Sequence, residues 1–367
     1  MPPVAWWQGA MKISNHHGIR ILIVLAAIAL AGIRFPAGWV EKVYSSGLYP
    51  HLAAWVKPLT RWTPVPVLDV LLLTAALGIP AWWIGRIRAA GAGRKWRAAG
   101  RAAAGTLTLA GALVCAFELL WGLNYQRLPL TAKLDWDSKR VTPQAALALS
   151  KSAIEHLNAE VGAARGQPMP APEQWRGALE RSFQQVVREL GHRPDFSGVA
   201  PRTSLLNPLL GAEGVDGFMN PFGCEVIFDS HLLPFEEPFL LAHEWSHLAG
   251  FADESEANFI GILACLRSDV PAIRYSGWLN LYFYLPKRSP NSAEALPELS
   301  PQVVSDINEM RARVLRRYKP AVARLQARIY DRFLKANRIP AGIGSYNLVT
   351  RLMVGARFEG NWTPAMR

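Results

Sequence analysis

The sequence has few cysteines, few charges and, in its first third, almost no acids. Three cysteines, Cys115, Cys224 and Cys265, stand in 367 residues. Their spacing matches neither a zinc knuckle nor a CxxC redox pair, which excludes both kinds of thiol site. Cys115 lies in an apolar run and reads as a small core residue. Cys224 and Cys265 could pair in an oxidising compartment, or stand as two separate buried thiols. Charged residues make up only 19% of the chain and hydrophobic ones 50%, which excludes disorder for most of it. There is no internal repeat.

The scarcity of acids is local. Residues 1–130 hold three, Glu41, Asp69 and Glu118, against 13 Lys and Arg. Of the net charge of +12, this third carries +10 and the other 237 residues only +2. The basic third is also the most apolar, so the charge reads as membrane topology and not as a nucleic-acid footprint. The expected partner is a lipid bilayer, with no nucleic acid.

Three stretches are candidate spans, at about 19–40, 65–85 and 102–123. The last two carry one acid each and are long enough to cross a bilayer. The first has 13 clean apolar residues, Ile21–Ile33, before Arg34. It needs continuation through Phe35 to Val40 to span. Its Ala29-Leu30-Ala31 also has the form of a signal-peptidase site, so a cleaved signal is the alternative. Residues 86–101 contain six Lys and Arg and no acid, which places that loop in the cytoplasm. The chain after the third span is then expected outside it. Glu118, in the third span, is expected to pair within the spans or with the Asn124–Arg127 rim.

The remainder reads as mainly α with a small sheet. Helical spacing covers 142–160 and 173–190, separated by the Pro-rich GQPMPAP. Residues 200–222 read as irregular. CEVIFD at 224–229 alternates like a short strand. Helices follow at 238–249 and 254–267, then a Pro/Ser-rich loop at 286–301. Two basic amphipathic helices, 301–318 and 320–337, come last, and solvated faces are the simplest expectation for them. His192 and His231 read as ordinary surface or capping residues.

One motif carries chemistry. His243-Glu244-Trp245-Ser246-His247 is HExxH. On a helix the two His project from one face and can share a Zn²⁺ ion, one per chain, while Glu244 can act as general base. A third ligand is required. Asp253, Glu254 and Glu256 are the candidates. Asp253 and Glu256 fit the N-cap and N3 positions of a capping box, which favours Glu254 as the ligand and leaves the other two as alternatives. Asn258, one turn after Glu254, could hold it from behind. Tyr346 is a possible donor to a transition-state oxyanion. CEVIFD is the candidate strand for pairing with an extended peptide.

Four stretches, WGLNYQR (121–127), GFMNPFGCEVIF (217–228), PFLLAHEWSHLAGFADESEANFIGILAC (238–265) and LKANRIPAGIGSYNLV (334–349), resemble the bacterial membrane family known as domain of unknown function 3810. That resemblance implies three spans followed by a zincin-like domain. The ESEAN run is also similar to the ExEAD or ExEAN run of CAAX-type and ImmA/IrrE-like proteases, where the first Glu ligates zinc. This sequence departs from the CAAX-type pattern in having Asn258 in place of Asp, and in a shorter gap from His247 to Glu254.

The combined expectation is a membrane domain, 1–127, with three transmembrane helices, then an extracytoplasmic α+β zincin-like domain of gluzincin type, 128–367. The expected activity is that of a multi-pass zinc metallopeptidase of a bacterial inner membrane, acting on a peptide or protein. The alternative is a metal-binding membrane protein without catalysis.

Overall fold

A computed structural model describes residues 5–166, 169–193, 198–287 and 295–367; the side chains at 5–16, 59, 61–62 and 345–347 lie outside that description. Helices Val67–Arg88 and Ala92–Leu120 are long and apolar enough to cross a membrane. Their most apolar windows are only 6% and 11% buried within the protein, so they need apolar surroundings from elsewhere.

The first apolar segment differs from the expected single rod over 19–40. Its helix runs Ala5–Gly32, and the chain then bends by 107° into Ala37–Pro58. Pro36 accounts for the break, because it disfavours helical geometry at Phe35 and donates no backbone hydrogen bond. The apolar helices thus number two, or three if the bent pair is one span.

The segment after the bend is not a loose loop. Val40, Tyr44, Tyr49 and Ala53 are buried in the same hydrophobic core as Trp245, Phe259 and Met353. Residues on both sides of 127 thus share one core. The start of helix Val67–Arg88 is also anchored. Glu225 accepts from the backbone N–H of Val67 at 2.7 Å and of Leu68 at 3.2 Å. Asp69, in its first turn, accepts from Leu205 N–H at 2.9 Å. Such first-turn N–H groups have no partner inside their own helix.

Most expected helices are present, as Pro143–Arg165, Pro172–Glu189, Glu237–Leu248, Glu254–Leu266, Pro301–Arg317 and Pro320–Ala336. Helix Pro271–Tyr284 was not anticipated. It packs against both Pro143–Arg165 and Glu254–Leu266, and a helix buried on several sides shows no one-faced period.

Residues 200–222, expected to be irregular, hold strand β1 (Pro201–Arg202), helix Asn207–Glu213 and strand β2 (Gly217–Asn220). Strand β3, Glu225–Phe228, lies between them in the order β1-β3-β2, parallel to β1 and antiparallel to β2. Both edges of β3 are taken, so CEVIFD has no edge free for a peptide. β1 and β2 are the edge strands, and β2 is the longer of the two. Cys224 and Cys265 are both free and buried, the second of the two sequence readings. Glu118 is buried, and its Oε2 has no hydrogen-bond partner among the described residues.

Candidate metal centre

Helix Glu237–Leu248 carries HExxH through the interior, and every residue from Leu241 to Leu248 is buried. Pro238 opens it, where a missing N–H costs nothing. Gly250 closes it. With φ of +86°, it occupies the left-handed position that lets Gly250 N–H bond to His247 O and Phe251 N–H bond to Ser246 O, at 2.8 and 3.0 Å. This turn has a direct consequence for the site. It folds the Phe251 carbonyl back to 2.8 Å from His247 Nδ1. A carbonyl only accepts, so Nδ1 carries a proton, and in the neutral ring the lone pair is on Nε2.

The buried end of this helix has carbonyls to satisfy. Trp121 Nε1 donates to His247 O at 3.1 Å, the Tyr49 hydroxyl to Leu248 O at 2.8 Å, and Arg127 Nη1 to Gly250 O at 2.6 Å. All three donors come from the N-terminal third.

The next helix begins at Asp253, which caps it by accepting from Ser255 N–H at 2.8 Å and Glu256 N–H at 3.3 Å. Half of the expected capping box is therefore present. Glu256 works elsewhere, accepting from Leu130 N–H at 2.6 Å. Burial, reinforced by nearby Asp253, pushes its carboxyl up to about 7. Glu254 is the acid that the helix turns toward the His pair. Gly261 allows the two helices to approach closely, since a Cβ there would stand 3.1 Å from His243 N.

His243 Nε2 and His247 Nε2 lie 3.1 Å apart, and Glu254 Oε2 lies 3.3 Å from each. Metal–ligand distances of about 2.0–2.1 Å give a tetrahedron with edges of about 3.3–3.4 Å, so the three atoms sit near the corners of one tetrahedral face. Glu254 Oε2 is at ion-pair distance from both rings yet makes no hydrogen bond. Glu244 Oε2, His243 Nδ1 and Asn258 Nδ2 are also buried without a hydrogen-bond partner. Leaving such groups unsatisfied is costly, and a small cation held by the three converging atoms removes part of that cost.

The electrostatics agree with this need. Burial alone would raise the Glu254 carboxyl, but the two His hold it well below the carboxylate range. Burial would lower His247, but the Glu254 carboxylate outweighs it and pushes the ring up to about 9. Glu244 is raised by burial, against the opposing pull of both His. The cluster is thus a negative well that attracts a positive charge, a proton or a metal.

Around the triad lies a cleft of about 700 Å³. His243, Glu244, His247, Glu254 and Asn258 form its base. Gly217, Phe218 and Met219 of β2 line one side, and Tyr330 and Phe333 of helix Pro320–Ala336 line another. Asn258 is 1% exposed, and its Nδ2 finds no hydrogen-bond partner among the described residues. The residue that holds Glu254 is Tyr330, whose hydroxyl donates to Oε1 at 2.5 Å. Sequence reasoning missed it, because it stands 76 residues downstream with no spacing signal. Tyr346 falls in the turn Gly342–Leu348, and its side chain lies outside the described residues.

His192 is also misplaced by the sequence reading. It is buried, and its Nε2 is 2.7 Å from both Arg127 Nη2 and Lys133 Nζ.

The family model described as "Protein of unknown function (DUF3810)" matches residues 44–354, and the chain belongs to that family. No curated protein and no solved structure matches it.

Proposed function

We propose that this member of the family is a membrane-anchored zinc metallopeptidase. The observation that carries the reading is the convergence of His243 Nε2, His247 Nε2 and Glu254 Oε2 at 3.1–3.3 Å, with the free carboxylate oxygen of Glu244 in the same buried cleft. Two neutral imidazoles and one carboxylate leave a site with zinc at net +1. Zinc there supplies Lewis-acid polarisation of a carbonyl and acidifies water.

The chain's own residues have distinct tasks. Glu244 accepts a proton from the attacking water and returns it to the leaving amine. Its raised carboxyl suits both steps. Tyr330 fixes Glu254 through Oε1 and leaves Oε2 for the metal. The outer edge of β2 offers main-chain groups to an extended peptide, a role that β3 cannot fill. The basic loop 86–101 supports a cleft outside the cytoplasm of a bacterial cell.

The purified full chain should hold about one zinc. Glu244→Gln should keep the metal and lose peptide hydrolysis. Full metal occupancy in His243→Ala would overturn the site assignment. Unchanged function in Glu244→Gln would mark a metal-binding protein without catalysis.

A further inference from the structure

The cleft is joined to the membrane helices. Phe117, inside helix Ala92–Leu120, and Trp121, just beyond it, both line the cleft beside the zinc triad residues. Phe333 of helix Pro320–Ala336 packs edge-on against Phe117 at 6.0 Å and against Tyr125 at 6.1 Å. Two residues beyond the same helix, Arg338 donates to the O of Ile33, the residue after the first apolar helix, at 2.7 Å. The wall of the cleft therefore rests on the ends of two apolar helices, at the depth of the last turn of one of them.

That wall also has an outer face. Gln326, Tyr330 and Phe333 point into the cleft. Leu325 and Ile329, one helical turn apart, form the neighbouring stripe and are 58% and 60% exposed. Around them Arg324, Arg328, Arg332 and Lys335 are exposed. Asp331 is the single acid of the helix. An apolar stripe flanked by long basic side chains is the pattern of a helix lying in the headgroup layer, where the stems bury and the charges reach anionic phosphates. The rim continues this pattern, since Leu209 and Ile343 line the cleft and are exposed as well. A bilayer fits this stripe, because its helix meets the end of helix Ala92–Leu120 through Phe333 and Phe117, and that helix needs apolar surroundings.

We propose that the cleft opens onto the bilayer surface and takes the juxtamembrane segment of a polypeptide anchored in the same membrane. The substrate part of this proposal rests on the peptidase reading above. β2 favours a polypeptide over a lipid, since an extended chain can use its outer edge. Anchoring also raises the local concentration of the substrate at a cleft held at the same surface.

Two measurements on the zinc-loaded full chain in phosphatidylethanolamine–phosphatidylglycerol vesicles test it. The first places nitroxide labels at Leu325→Cys and Ile329→Cys in a Cys115→Ala background. Collisions with oxygen should exceed those with a water-soluble nickel chelate at both sites. The reverse would overturn the bilayer contact without touching the peptidase reading. The second compares a mixed-sequence peptide library carrying an N-terminal palmitoyl group with the same library acetylated. The anchored form should be consumed at least about tenfold faster, and Leu325→Asp/Ile329→Asp should erase most of that advantage. Equal rates would overturn the membrane-anchored substrate class and leave the peptidase standing. Cleavage of neither library, with zinc bound, would sink the peptidase reading and the substrate class together, while the label measurement decides where the cleft lies.

Discussion

Tyr330 reaches from a distant helix to the carboxylate of the proposed triad. Its hydroxyl donates to Glu254 Oε1, and outer contacts of this kind tune ligands by about 10–100-fold in metal affinity or activity. Tyr330→Phe should weaken zinc binding within that range, measured by chelator competition, with little change in thermal stability. His192 makes a second residue-scale prediction. Burial depresses its ring first, the Glu41 carboxylate opposes, and Arg127 and Lys133 depress it further, to about 4. Arg127 Nη2 and Lys133 Nζ, each 2.7 Å from its Nε2, oppose a charge on the ring, against Glu41 Oε1 at 3.1 Å. An unfolded His titrates near 6.5, so the unfolded chain takes up this proton first. The stability from His192 is complete above about pH 6.5 and is lost as pH falls through about 4, on the order of 3 kcal/mol. Chemical denaturation at pH 7 and pH 4.5 should show that loss, and His192→Gln should flatten it.

At the scale of elements, the centre depends on how one helix ends and the next begins. Gly250 is the hinge of that connection. An alanine there would hold φ at +86° with a side chain and bring its Cβ within 3.0 Å of Asn124 Oδ1. Gly250→Ala should cost about 1–2 kcal/mol and should also displace the Phe251 carbonyl from His247. Falling zinc affinity together with the unfolding midpoint checks this coupling. A drop in stability with unchanged affinity would separate the turn from the metal. The local signals here were legible. HExxH, Gly250 at a helix end and Asp253 at a helix start are short-range patterns, and each is found in its expected place. The strands were not. β2 exists because β3 pairs with it, and β3 is central because β1, two residues long, covers its other edge. No short-range pattern encodes a neighbour, which is why CEVIFD reads as the candidate strand for pairing with a peptide.

At the scale of the molecule, the apolar third and the metal-site part form one structure. Tyr49, Trp121 and Arg127 each satisfy a carbonyl at the end of the HExxH helix or in its closing turn. Arg127 is also buried beside Glu41 at 3.0 Å. Residues 128–367 expressed alone would lack all three donors and the buried face made by Val40, Tyr44 and Tyr49. That fragment should fail to bind stoichiometric zinc and should lack a cooperative thermal transition. A folded, metal-loaded fragment would show that the shared core is dispensable.

The sequence by itself determined the mainly helical plan, the apolar helices and the HExxH pair. Periodicity, charge asymmetry and the HExxH spacing are local properties, so they identified the apolar helices, the His pair, the acids able to join it and the basic loop. The tertiary structure decided what depends on distant parts of the chain meeting. It turned Glu254 to the His pair while assigning Asp253 to a cap and Glu256 to Leu130. It brought Tyr330 to Glu254, put β2 at the cleft, bent the first apolar segment at Pro36 and set Phe117 and Trp121 into the cleft wall. The physical reason is common to these cases. A buried polar group takes whichever partner packing delivers, and packing joins residues that no short stretch of sequence contains.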